Sequence, residues 1–326
     1  MGHRPSHIYD PITDFNLPQG HAKIHHWRLK NLRIMLGIIA GAYKLSVINY
    51  LMDARLTTSQ DLTFYALGIC LAGNSWDILK AHRQELQPQP PPDLSFGSLH
   101  YEFGQDVPAV VSSFTRADGT LVLYFRGTAT VRETLTDFSA ISSSWIMLPA
   151  FGKAKFLKTF QKHYVNRDTK GRSLETFVHK CLLNAKSIII VGHSLGGAMA
   201  CLAAYQACAS HKRVRLITIG GAQGGDAAFC AALHQNCDEV LNIVNTLDEV
   251  PWLALPFRAT CQCYKMVVAD SAPGRGLLSR ALTHDPLYYA ANLFRFGTSD
   301  AKPSSCQAEE NTVKYVSFPP LKPMQA

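Results

Sequence analysis

Ser187-Ile-Ile-Ile-Val-Gly-His-Ser-Leu-Gly-Gly-Ala-Met-Ala-Cys-Leu-Ala-Ala-Tyr205 changes character halfway along. Its first five residues are an unbroken, largely β-branched run, the pattern of a strand covered on both faces of a parallel sheet. From Gly196 to Tyr205 small and apolar residues suit a tightly packed helix. Between the two stands Gly192-His193-Ser194-Leu195-Gly196. A serine on so sharp a strand-to-helix turn is strained, with its hydroxyl exposed above the sheet. Glycine is needed on either side because side chains there would strike the neighbouring strand and helix. The amide of Leu195, at the helix N-terminus, can donate to an oxyanion forming beside the serine. Ser194 is thus a candidate nucleophile; the bland alternative is an idle serine in a glycine turn.

Working outward, strand-like runs fall at Leu99–Phe103, Ala109–Phe114, Leu121–Phe125, Ser187–Val191, Arg215–Ile219, Val240–Val244 and Val313–Phe318. Helical spacing appears at Lys153–Tyr164, Ser173–Asn184, Gly197–Ala209, Asp226–Gln235 and Asp285–Phe294. Alternation of this kind predicts a doubly wound, mostly parallel α/β sheet with helices on both faces. Upstream, residues 1–28 read as irregular. Residues 29–92 read as a helical N-terminal region closed by the proline run at 88–92, which cannot continue a helix. The α/β domain then occupies residues 93–326.

A serine nucleophile of this kind needs a base and an acid, which follow it in chain order. Past Ser194 the histidines are His211, His234 and His284, and the carboxylates before His284 are Asp226, Asp238, Glu239, Asp248, Glu249 and Asp270. The acid belongs in a loop just beyond the C-terminal end of a strand, where sites in such sheets form. Asp248 fits, a few residues past the run ending at Asn245. Asp226 reads better as a helix N-cap, and Asp238 and Glu239 precede their strand. With Asp248 as acid, His284 is the one histidine left downstream. His193, next to the nucleophile, points its ring away from the serine hydroxyl and is a poor base. The expected chemistry is proton transfer from Ser194 to His284, oriented by Asp248, through an acyl-enzyme.

These segments resemble the class 3 lipases, the family of fungal triacylglycerol lipases and related phospholipases. Leu123-Tyr-Phe-Arg-Gly-Thr128 looks like the family's third-strand segment, and Gly192-His-Ser-Leu-Gly-Gly-Ala198 is similar to its elbow. Asp248-Glu-Val-Pro251 with Leu255-Pro256 resembles the acid segment, and His284 before Leu287-Tyr-Tyr289 the histidine segment. The resemblance implies an α/β-hydrolase fold and agrees with the triad Ser194, Asp248 and His284; Cys261-Gln-Cys263 has no second pair at zinc spacing, so neither a metal nor a cofactor is expected. The resemblance also implies that Thr128 joins Leu195 in the oxyanion hole, with Asp137 holding the Thr128 hydroxyl. Ile219-Gly-Gly-Ala-Gln-Gly-Gly-Asp226 lacks the proline and arginine usual at that place, which marks a divergent member.

The family's lid position falls on residues 139–151, where Ile141, Trp145, Ile146, Met147 and Leu148 form an apolar cluster. A cover opening at a lipid surface would expose such residues; a loop tucked into the core is the plainer reading. Lys153, Lys155, Lys158 and Lys162 follow directly and suit anionic phospholipid, or simply a solvated helix face. The net charge of +8 favours an anionic partner, and without zinc-finger, RNP-like or basic-heptad patterns that partner is a membrane surface, not nucleic acid. The polar N-terminus argues against a secretory signal and no run reaches bilayer length. With nine cysteines in mostly apolar surroundings, this predicts reduced thiols in a cytoplasmic enzyme, or one exported without a signal peptide, peripheral at most to membranes. The expected function is hydrolysis of lipid esters, triacylglycerol or phospholipid. A soluble esterase for short or aromatic acyl groups, and a catalytically silent lipid-binding relative, are the alternatives.

Overall fold

The computed structural model describes residues 53–57, 61–63, 65–71, 101–103, 109–127, 144–167, 171–245, 248, 250–252, 264–267, 284–286, 289 and 314–316. Ten strands lie within them: β1 (Tyr101–Phe103), β2 (Ala109–Thr115), β3 (Leu121–Arg126), β4 (Trp145–Met147), β5 (Lys155–Leu157), β6 (Ser187–His193), β7 (Arg213–Ile219), β8 (Glu239–Asn245), β9 (Tyr264–Val267) and β10 (Lys314–Val316). Four α-helices are interleaved: α1 (Lys158–Val165), α2 (Leu174–Leu182), α3 (Leu195–Ala209) and α4 (Ala227–Asn236). Eight strands form one sheet in the order β1-β2-β3-β6-β7-β8-β9-β10, while β4 and β5 pair apart from it. The five strands β3, β6, β7, β8 and β9 are mutually parallel, and the pairs β1–β2, β2–β3 and β9–β10 are antiparallel.

The apolar runs behave as their composition demands. Val122 to Phe125 and Ile188 to Val191 are buried at every position, since both faces of these strands are covered. Helix α3 lies on β3, β6 and β7, and its backbone reaches the sheet closely. A Cβ on Gly196 would overlap the carbonyl oxygen of Phe125, and one on Gly197 would come 2.5 Å from Gly221 Cα. The elbow glycines are therefore spacing elements, because any side chain would push α3 and the serine off the sheet.

Upstream of the sheet, residues 61–63 and 65–71 are helical, and Leu62, Tyr65, Leu67 and Ile69 are buried. Arg116, on the β2–β3 turn, lies over the Tyr65 ring at 4.9 Å and donates to the Ala54 carbonyl; Arg215 donates to the Leu56 carbonyl at 3.0 Å. Ala54, Leu56 and Tyr65 are thus tied to the end of the sheet opposite Ser194. Residues 1–28 and the proline run at 88–92 lie outside the described residues. No helix of the described residues is long and apolar enough to cross a membrane.

One predicted helix needs correcting. Residues 155–157 are strand β5, and α1 begins only at Lys158. Phe156, Phe160 and Tyr164 recur every fourth residue and are all buried, which imitates a helical face although Phe156 projects from a strand. The predicted helix at Asp285–Phe294 is described only at residues 285, 286 and 289. In the apolar cluster expected to act as a lid, Trp145–Met147 form strand β4, paired antiparallel with β5. Trp145 and Ile146 pack on the core and Leu148 is buried, while Met147 stays exposed; Ile141 lies outside the described residues.

Candidate active site

β6 is apolar from Ile188 to Val191, closes on Gly192 and His193, and then meets the dense start of α3. The turn between them is made by Ser194 at φ 58, ψ −131, a conformation that costs a residue with a Cβ of order 1–3 kcal/mol. Serine at a helix N-cap ordinarily accepts a bond from an amide in the first turn, with extended backbone angles. Ser194 caps α3 without any such bond. Its main chain is held instead: the amide donates to Ile219 at 3.3 Å, and the carbonyl accepts from Gly197 and Ala222, each at 2.9 Å. The hydroxyl is buried and has no hydrogen-bond partner among the described residues. Strain and packing leave it unspent.

Asp248 lies beyond β8 and His284 farther along the chain, and the structure brings both to the end of the sheet that carries Ser194. His284 Nδ1 is 2.8 Å from Asp248 Oδ2, and both side chains are buried. The carboxylate can only accept, so Nδ1 carries the proton and the neutral ring offers the lone pair of Nε2. Nε2 has no hydrogen-bond partner among the described residues. The acid–histidine link is therefore closed, and the two atoms that would exchange a proton, Ser194 Oγ and His284 Nε2, are both free to do so. Asp248 is itself fully held. Its Oδ1 accepts from the Val250 amide at 2.9 Å, and its Oδ2 takes a second bond, from the Tyr289 hydroxyl at 2.6 Å.

Two further residues complete this arrangement. His193 points away from the serine hydroxyl, as its place in the strand requires, and its Nε2 donates to the carbonyl of His284 at 2.9 Å. The two imidazoles stack with centroids 4.7 Å apart and 27° between planes. Burial first, then repulsion from His284, push the His193 pKa down to about 3, against a smaller upward pull from its bond to the His284 carbonyl. His193 is thus a neutral ring stacked on His284. Gly220, after β7, has φ +52, and a Cβ there would come 2.7 Å from Asp248 Oδ2. The acid and histidine close over it because it has no side chain.

Of the expected oxyanion residues, Leu195 opens α3 directly after Ser194. Thr128 and its expected support Asp137 lie outside the described residues. The preceding residue, Gly127, passes so close that its Cβ would come 3.1 Å from Ser194 Oγ, so the end of β3 reaches the serine. His211 follows the C-terminal end of α3 and His234 lies in the last turn of α4. Asp226 caps α4 through Phe229, with no part in the site. Tyr289 was visible only as part of an aromatic run, and His193 only as a poor base; neither partnership follows from spacing.

Residues 122–257 match the family model described as Lipase (class 3). This part of the chain is similar to the class 3 lipases. A chloroplastic phospholipase A(1) of Arabidopsis thaliana is 31% identical over 174 residues, which are 45% of this chain and 37% of that one. The chain therefore spans little more than a third of the length of this curated relative. A deletion mutant of the Rhizomucor miehei lipase–propeptide complex superposes with a TM-score of 0.50 at 17% identity, covering 75% of this chain and 81% of that one. At such identity the likeness is one of fold, and the mostly parallel central sheet with its flanking helices is that of an α/β-hydrolase.

Proposed function

We propose that the chain is a serine hydrolase of lipid esters, with Ser194 as nucleophile, His284 as base and Asp248 as the orienting acid. The observation that carries this reading is the 2.8 Å bond of His284 to Asp248, with Nε2 left free at the sheet end where a strained serine keeps an uncapped hydroxyl. Ser194 Oγ attacks the ester carbonyl as its proton passes to His284 Nε2. The oxyanion takes a bond from the Leu195 amide, with the Thr128 amide as its partner by family position. His284 then protonates the leaving alcohol, and the acyl-enzyme forms. Water, deprotonated by the same nitrogen, releases the acid and restores the serine. Tyr289 and Val250 keep Asp248 in place, and His193 fixes the backbone of His284; all three are positioning residues. The class 3 lipase segment and the phospholipase relative favour an ester of a long-chain acid.

A fluorophosphonate probe tests the nucleophile. Wild type should label and Ser194→Ala should not; label that survives the substitution removes Ser194 from its role. An acyl-chain-length series tests the substrate class. Turnover that peaks on acetate and ignores dispersed long-chain esters would replace the lipid reading with that of a soluble short-chain esterase.

A further inference from the structure

The hairpin of β4 and β5 and the start of α1 carry an unusual charge balance. From residue 144 to 167 there are four lysines and one arginine and no aspartate or glutamate. Lys153, Lys155, Lys158, Lys162 and Arg167 are all exposed, and none has an ion-pair partner among the described residues. The carboxylate bonded to this hairpin belongs to Asp226, whose Oδ1 is committed to the amides of Lys155 and Phe229. Glu175 of α2 approaches α1 at Tyr164, in the last turn of that helix. Met147 stands 51% exposed, one of two large apolar side chains so placed among the described residues. It is the cross-strand partner of Lys155. An exposed apolar residue set among unpaired cations is the composition of a protein face that sits on anionic lipid.

Its position gives that face a purpose. The amide of Leu157 donates to Gly224 at 2.7 Å, the amide of Asp226 donates to Lys155 at 3.0 Å, and Phe156 bridges to Gly225. The loop so gripped follows β7 and also donates, through Ala222, to the carbonyl of Ser194. Behind the hairpin, Phe151 packs on Tyr205 and Phe156 on Phe229, with centroids 4.8 and 4.9 Å apart. The basic hairpin is therefore anchored to the same end of the sheet as the nucleophile.

We infer that the β4–β5 hairpin and the first turns of α1 are a fixed docking surface for a bilayer of anionic phospholipid, which holds the active-site end of the sheet against the membrane. The inference rests on the esterase reading only for its purpose; the binding itself does not require turnover. Flotation of the full chain with vesicles of phosphatidylcholine alone, or of phosphatidylcholine mixed with phosphatidylglycerol, is the test. Wild type should partition onto the mixed vesicles, not onto phosphatidylcholine alone, and added salt should release it. Replacing Lys153, Lys155, Lys158 and Lys162 by glutamine should lower that partitioning by several hundred-fold, at roughly fivefold per cation. Turnover of a soluble short-chain ester should be unchanged, which also shows that the variant folds. Met147→Asp, a single surface change, should weaken binding in the same direction. Equal binding to both vesicle types, or glutamine variants that bind as wild type does, would overturn the inference. A chain that binds anionic vesicles through these lysines yet takes no fluorophosphonate would retain the docking surface and lose the esterase reading.

Discussion

Replacing Gly220 by alanine places one methyl group where the acid and the histidine meet. The added Cβ would sit 2.7 Å from Asp248 Oδ2, 3.0 Å from the Tyr289 hydroxyl and 3.1 Å from His284 Nδ1. Ordinary contact begins near 3.4 Å, so the carboxylate oxygen must retreat by about 0.7 Å or the loop must open. A displacement of that order in an oriented catalytic group costs roughly 10²-fold in rate, about 2.7 kcal/mol of transition-state stabilisation. Alanine at φ +52 adds about 1–2 kcal/mol of backbone strain, and crowding adds roughly 1–3 kcal/mol. The melting temperature should therefore fall by several degrees, at roughly 2–4 °C per kcal/mol for a domain of this size. Steady-state turnover of a soluble ester and the rate of fluorophosphonate labelling should both drop, with KM little changed because no substrate contact is removed. Gly119→Ala is the matched control. Its φ is +79 with nothing within 4 Å of the new Cβ, so it carries the strain without the collision and should lose stability while keeping turnover. If Gly220→Ala retains kcat within about threefold of wild type, the packing of Asp248 and His284 over this glycine is not what aligns the base.

Tyr289→Phe removes the 2.6 Å bond to Asp248 Oδ2 and should lower kcat about tenfold, the loss expected for a bond to a charged group; unchanged kinetics would leave Tyr289 as packing only. His193 gives the protein a defined acid sensitivity. Its pKa is depressed to about 3 from an ordinary 6.5, so the unfolded chain binds a proton that the folded chain refuses. Stability is then whole above pH 6.5 and falls by up to about 1.4 kcal/mol per unit as pH drops towards 3. Melting curves across that window should show the slope, and His193→Phe should flatten it. Cys208 and Cys237 lie with sulfurs 3.5 Å apart, and the bond from Cys237 holds the Cys208 thiol below its usual range. Cys208 is also partly exposed, so iodoacetamide should modify it well before buried Cys230, as read by peptide mass spectrometry.

Much of this arrangement is written in local pattern. β6 and α3 declare themselves through an all-apolar run broken by Gly192 and Gly196, because burial on both faces leaves little room for other residues. Asp248 and His284 emerge by chain order, since few candidates lie downstream of Ser194. What spacing cannot supply is contact across distance. The bond from His193 to the His284 carbonyl spans 91 positions, and nothing in either neighbourhood announces it. Tyr289 shows as an aromatic, and its carboxylate partner lies 41 positions back. β5 was hidden because Phe156, Phe160 and Tyr164 share one hydrophobic pocket while belonging to two kinds of element. β9, only four residues long with Lys265 inside it, offers too short a run for either periodicity.

The dihedral angles of Ser194 also have an evolutionary meaning. A residue with a Cβ at φ 58 is a standing cost, and one substitution, to glycine, would remove it and leave the sheet and α3 undisturbed. Mutation supplies that change readily, and a lineage with no use for the hydroxyl has every thermodynamic reason to accept it. At Ser194, then, stability and the hydroxyl pull in opposite directions: the residue that would relieve the backbone is also the one that would remove the oxygen.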